Sequence, residues 1–326
     1  MIEATSITPE GRITPEDSGI WLDSQAEKLA EIVEFAHSQN QKIGLQIGHA
    51  GRKASTIAPW LSRVAVATED VGGWPQEVVA PSAVPYDEAR TLPKALSLDD
   101  IEELKKAWVA AVKRAVKAGF DVIEIHNAHG YLLHEFLTPV SNKRTDKYGG
   151  SFENRTRLTL EIAELTRKNI PEGMPLFLRI SGTDWLADRE SWTVDDTVKL
   201  APLLASAGVD LLDVTSGGAH ADQKVVPGPG YQVPLAKAVK AAVGEKLLVG
   251  TVGSITSGKQ AEAILTGKGE GSHGEQEVDL AIVGRGFQKN PGLVWAWAEE
   301  LGTEIKVANQ IGWGFGGRVG APRKKH

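Results

Sequence analysis

Phe120-Asp121-Val122-Ile123-Glu124-Ile125-His126-Asn127-Ala128-His129 is the stretch that decides the fold. Residues 120–125 are short, mostly apolar and partly β-branched, as a buried strand requires, and they run directly into a polar loop. Just before them, residues 97–117 carry Ile101, Leu104, Trp108 and Val112 at helical spacing. Ser97 and Asp100 read as a capping box at the start of that helix, and Gly119 as its natural stop. A helix, a tight turn and a strand ending in polar residues make one unit of an alternating α/β chain.

The unit recurs in both directions. Residues 23–39 place Leu29, Ile32, Val33 and Ala36 at helical spacing, with Asp23 as the predicted N-cap, and residues 42–47 form a strand feeding Gly48-His49-Ala50-Gly51. Downstream, predicted helices over 151–168, 193–206, 234–243 and 257–265 alternate with strands over 176–180, 211–215, 246–252 and 280–283. The segment after Gly286 is helical again. Such alternation implies a parallel sheet covered on both faces. No early Gly-x-Gly-x-x-Gly opens a helix, which weakens a dinucleotide-binding doubly wound sheet. Polar residues and glycines gather just after the strands, where a barrel carries its site. The expected fold is therefore an α/β (β/α)8 TIM barrel.

Six strands are clear, beginning at Lys42, Phe120, Leu176, Leu211, Lys246 and Leu280, and Met1 to Thr5 supplies a seventh. An eighth has no candidate. A barrel closes only with a consistent strand number and shear, so the reading is a single domain over 1–326 that is incomplete at its N-terminus. It carries a long Pro- and Trp-containing connection at about 53–96, either an active-site cap or an ordered surface excursion, and a tail at about 312–326 expected to be mobile.

Composition bounds the chemistry. The 326 residues are 41% hydrophobic and 24% charged with a net charge of −6, which argues against a general nucleic-acid binder. Without cysteine there are no disulfides, iron–sulfur clusters or thiolate zinc sites. His220-Ala221-Asp222 is not read as a metal site, and no metal is expected. No apolar run is long enough to span a bilayer, and a cytoplasmic protein is the plain reading.

The longest motif runs from His126 through Tyr131 and Leu137 to Ser141-Asn142-Lys143-Arg144-Thr145-Asp146-Lys147-Tyr148-Gly149-Gly150-Ser151. Two imidazoles at the mouth of a strand can donate to a substrate carbonyl oxygen, and Tyr131 follows as a phenol able to deliver a proton. Polarising an enone carbonyl makes its β-carbon a hydride acceptor, and the α-carbon then needs that proton. The plainer alternatives are loop histidines satisfied by backbone and a core tyrosine.

This segment resembles the signature of the old yellow enzymes, in particular the bacterial and fungal branch with a His pair in the substrate site. Three further blocks match in the same order: Gly44-Leu45-Gln46-Ile47-Gly48-His49-Ala50-Gly51-Arg52-Lys53, Val249-Gly250-Thr251-Val252-Gly253-Ser254-Ile255 and Ile282-Val283-Gly284-Arg285-Gly286-Phe287. The resemblance implies an FMN-dependent oxidoreductase that takes hydride from NADPH or NADH and reduces the C=C bond of α,β-unsaturated carbonyl compounds. It implies that Gln46 hydrogen-bonds the flavin's pyrimidine side, that Arg179 lies near its N1–C2 carbonyl region, and that Ala4 contacts it. Gly253, Gly284 and Arg285 match the phosphate end, His126 and His129 the substrate anchor, and Tyr131 the proton donor. The plainer alternatives are a polar residue inside a barrel for Gln46 and a structural role for Arg179.

The partner implied is a small activated alkene, with self-association of the chain compatible; Arg318 is a conceivable match to a C-terminal arginine reaching a neighbouring subunit. The family's first strand, with its flavin-tuning and substrate-side residues, precedes the position of Ile2-Glu3-Ala4 and has no counterpart here. A truncated, flavin-deficient or non-catalytic remnant is thus the alternative. A lyase or aldolase on a phosphate-binding barrel would want a catalytic lysine or a metal cluster at the strand ends, and neither is seen.

Overall fold

The computed structural model describes residues 1–62, 64–268 and 278–315. Seven parallel strands form its main sheet: β1 (Ile2–Ser6), β2 (Gly44–Gly48), β3 (Val122–Asn127), β4 (Leu176–Ser181), β5 (Leu211–Thr215), β6 (Leu248–Val252) and β7 (Leu280–Ile282). Each pairs with the next in chain order, and the sheet curls into part of a barrel. Among the described residues, β1 and β7 do not pair with one another. All seven strands expected from the sequence are present.

Helices cover the connections: α1 (Asp23–Ser38), α2 (Leu98–Lys117), α3 (Leu132–Leu137), α4 (Phe152–Asn169), α5 (Val194–Ser206), α6 (Val233–Val243), α7 (Gly258–Thr266), α8 (Arg285–Lys289) and α9 (Leu293–Glu300). At α2 the capping box forms as the sequence predicts, with Asp100 N–H donating to Ser97 Oγ at 3.1 Å and Ser97 N–H donating to Asp100 Oδ2 at 2.8 Å. At α1 the expected N-cap is corrected. Leu22 occupies the cap, its N–H donating to Gln25 Oε1 at 2.9 Å, while Asp23 is the first helical residue. Asp23 instead meets Arg114 Nε at 2.7 Å, tying α1 to α2.

The strands alternate by residue. Leu45, Ile47, Ile123, Ile125, Leu178, Ile180, Leu212 and Val214 are fully buried and join Trp108, Ile162, Leu200 and Val239 of the helices in one apolar cluster. The residues between them, Gln46, Glu124, His126, Arg179 and Asp213, fall on the opposite face by the period of two. The register then sets polar side chains beside each other: Gln46 opposite Glu124, and His126, Arg179 and Asp213 on one rung across β3, β4 and β5.

Residues 53–96 contain two three-ten turns and a two-residue parallel pair, Val79–Ala80 with Lys94–Ala95. Buried Arg52 holds this excursion down by donating to the carbonyls of Val84 (3.1 Å) and Pro85 (3.2 Å). The expected tail lies outside the described residues from 316 onward, Arg318 included. Among the described residues no helix is long and apolar enough to cross a membrane.

Candidate active site

Two polar layers occupy the inner face of the sheet. In the lower one Gln46 Nε2 donates to Glu124 Oε1, both residues being buried. Burial first, and then the nearby Asp213 carboxylate, push Glu124 up to about 7. In the upper one Arg179 Nε lies 3.0 Å from Asp213 Oδ2. This contact is an ion pair without good hydrogen-bond direction, since Arg179 Nε has no hydrogen-bond partner among the described residues. Among the described residues the two terminal guanidinium nitrogens are also left for further acceptors.

The loop after β3 brings the predicted substrate residues together. The His126 ring meets His129 at 5.3 Å and Tyr131 at 5.0 Å between centroids, both edge to face. Burial, with Arg179 as the next cause, lowers His126 to about 3, and burial with His126 holds His129 well below the usual imidazole range. Both rings are neutral at physiological pH. Burial pushes the Tyr131 phenol up to about 12, so it keeps its proton there. A small cavity reaches His126 and Tyr131 and is walled by Ala4, Gly48 and Ala50.

Thr215 Oγ1 stands 3.0 Å from His129 Nε2. That hydroxyl donates to Gln232 Oε1 at 3.3 Å, and Ser216 Oγ donates to the same oxygen.

The loop is held in a demanding shape. His129 has φ +61° and Gly130 φ +69°. A Cβ on Gly130 would lie 1.9 Å from the Gly218 carbonyl oxygen, and one on Gly218 would lie 2.3 Å from the His129 carbonyl carbon. Lys53 Nζ clamps the same two loops, donating to His129 O at 2.8 Å and Gly218 O at 3.0 Å. Its ammonium also lies 5.3 Å from the Tyr131 ring centre and 4.6 Å from that of Tyr86. Below, fully buried His134 accepts from Gly130 N–H through Nδ1 at 2.8 Å and meets Asp184 Oδ1 through Nε2 at 3.0 Å. Gly218→Ala is expected to destabilise the fold by about 1–3 kcal/mol, from strain at positive φ and backbone contact. Thermal unfolding checks this, and an unchanged melting temperature would contradict the close-packed loop pair.

Gly253 and Gly284 follow β6 and β7. They line, with Arg285, Lys289, Ser254 and Thr256, a cavity of about 530 Å3 at the ends of those strands. Gly253 has φ +114°, and a Cβ on Gly284 would meet nothing within 4 Å.

A family model for the NADH:flavin oxidoreductase / NADH oxidase family matches residues 1–304, from β1 through α9. The chain belongs to that family. Within the NADH:flavin oxidoreductases, one from Gibberella zeae is 54% identical to it over 100% of this chain and 79% of its own length. An NADPH dehydrogenase of Geobacillus sp. (strain WCH70) is 41% identical, covering 97% of this chain and 84% of its own. Among solved structures, the old yellow enzyme homologue from Zymomonas mobilis aligns with a TM-score of 0.69 at 26% identity, over 94% of this chain and 80% of that one. The old yellow enzyme resemblance read from the four motifs is therefore correct, and this is an oxidoreductase of a family that uses flavin and NAD(P)H.

The donors present suit a flavin. Gln46 offers an amide, Arg179 a guanidinium whose contact with Asp213 uses Nε, and Gly253, Gly284 and Arg285 an open, glycine-lined cavity with a cation for a phosphate. Sequence reasoning missed four groups that bear on them: Lys53, Glu124, Asp213 and the His134–Asp184 pair. Only Asp213 had a signal, because a lone arginine in an apolar strand requires a nearby acid.

Proposed function

We propose that this chain binds FMN at the mouth of the sheet and reduces the C=C bond of small α,β-unsaturated carbonyl compounds with hydride from NADPH or NADH. The observation that carries the reading is the edge-to-face cluster of His126, His129 and Tyr131, two neutral imidazoles and a protonated phenol, of which His126 and Tyr131 line one cavity. Gln46, Ala4 and Arg179 would hold the ring system, and Gly253, Gly284 and Arg285 the phosphate. When bound, FMN supplies the acceptance and delivery of hydride.

The chain's own residues do the rest. His126 and His129 donate to the substrate carbonyl oxygen, which draws electron density from the β-carbon. Being neutral, they donate without giving their protons away. Tyr131 Oη delivers a proton to the α-carbon. Lys53 fixes the loop that carries them, and the surrounding burial keeps water from the site. The sheet is read as seven strands of a (β/α)8 barrel whose eighth place lies between β1 and β7.

A visible absorption spectrum of the purified chain, with and without added FMN, tests the reading, followed by anaerobic reduction with NADPH and reoxidation by an enone. A bound-flavin spectrum with enone-dependent reoxidation is expected. A chain that stays colourless with FMN in excess would overturn the proposal and leave a flavin-deficient member of the family.

A further inference from the structure

We propose that Asp213 is a positioning residue that offsets the charge of Arg179 and thereby sets how strongly the site favours reduced over oxidised flavin. The inference rests on the FMN reading above and deepens it. Asp213 is nearly inaccessible (2% exposed), whereas the Arg179 side chain keeps 22% of its surface. The acid therefore lies deeper in the sheet than the guanidinium it meets. It sits on the next strand at the same rung, Arg179 opposite Asp213, so the pleat and register fix the pair.

The contact uses Nε, on the stem side of the guanidinium, and leaves the two terminal nitrogens for a ligand. Among the described residues Asp213 Oδ1 has no hydrogen-bond partner. Such a buried carboxylate is costly, and the adjacent cation opposes that cost. Burial raises Asp213 above the usual carboxylate range, and Arg179 offsets part of that rise. Glu124 lies one rung below, where burial pushes it up to about 7, and Arg179 is the cation in contact with Asp213.

Reduced flavin carries negative charge that Arg179 attracts and Asp213 repels. Both act from the sheet's inner face, where salt damps them less than it damps surface charges. Removing the carboxylate leaves the arginine uncompensated. Reduced FMN should then gain affinity relative to oxidised FMN, and the midpoint potential should rise.

The test is the midpoint potential of bound FMN, measured by dye equilibration at pH 8, together with the dissociation constant of oxidised FMN. Asp213→Asn is expected to shift the ratio of the two affinities about tenfold, a rise of about 30 mV for the two-electron couple. Asp213→Glu, which keeps the charge, should retain the potential of the unaltered chain. An Asn variant that binds FMN with an unmoved potential, or equal shifts in the Asn and Glu variants, would overturn the inference. If Asp213→Asn does not fold, Asp213→Ser takes its place; it must raise the potential, and no rise overturns the proposal. An unaltered chain that binds no FMN overturns the functional reading and this inference with it.

Discussion

Tyr131→Phe is expected to slow oxidation of the reduced protein by an enone by about 10²-fold or more, the usual contribution of a positioned general acid. Reduction of the same protein by NADPH should keep close to its original rate. The substitution removes one hydroxyl and leaves the ring against His126 and under Lys53, so the packing of the loop is retained. The phenol is held near 12 by burial, which keeps its proton in place at neutral pH until the α-carbon needs it. Stopped-flow measurement of the two half-reactions separates the cases. Equal slowing of both would show that Tyr131 supports the fold of the mouth rather than the proton.

The second large effect concerns the histidines. His126→Ala combined with His129→Ala should weaken binding of a simple phenol by about 2 kcal/mol, roughly thirtyfold, because two hydrogen bonds to the ligand oxygen are lost. Alanine tolerates the left-handed backbone of residue 129 poorly, so His126→Ala with His129→Asn separates the lost donor from a collapsed loop. Binding of a phenol that does not itself ionise should be flat between pH 5 and 8. Burial depresses both imidazoles, His126 to about 3, so neither gains a proton in that window. Titration of the ligand charge-transfer band measures affinity across pH, and a break near pH 6.5 would mean exposed histidines.

Much of this was legible in the chain itself, for identifiable reasons. A parallel strand buried on both faces writes a short apolar run, and each such run here is followed by glycine and polar residues, so strand order and the location of the site could both be read. The His126, His129 and Tyr131 group was legible because its members lie within six residues, at the end of β3 and in the loop that follows it. What was hidden depends on register. Glu124 and Asp213 each stand alone in an apolar strand, and their partners Gln46 and Arg179 come from other strands. The Lys53 clamp joins loops 76 and 165 residues away, which no local pattern encodes. Helix α3 escaped notice because all six of its residues are buried, leaving no polar face to mark a helical period.

The rung shared by His126, Arg179 and Asp213 ties the chemistry to counting parity. Deleting one residue within β3 would bring Ile125 or Asn127 to the inner face in place of His126, and it would exchange Glu124 for an apolar neighbour in the same stroke. No side chain would have been altered, yet donor and acceptor would change sides together. The connections obey no such arithmetic, since loop length is thermodynamically forgiving. Evolution and engineering can therefore lengthen the excursion over residues 53–96 freely to reshape access, while each strand must keep its length modulo two.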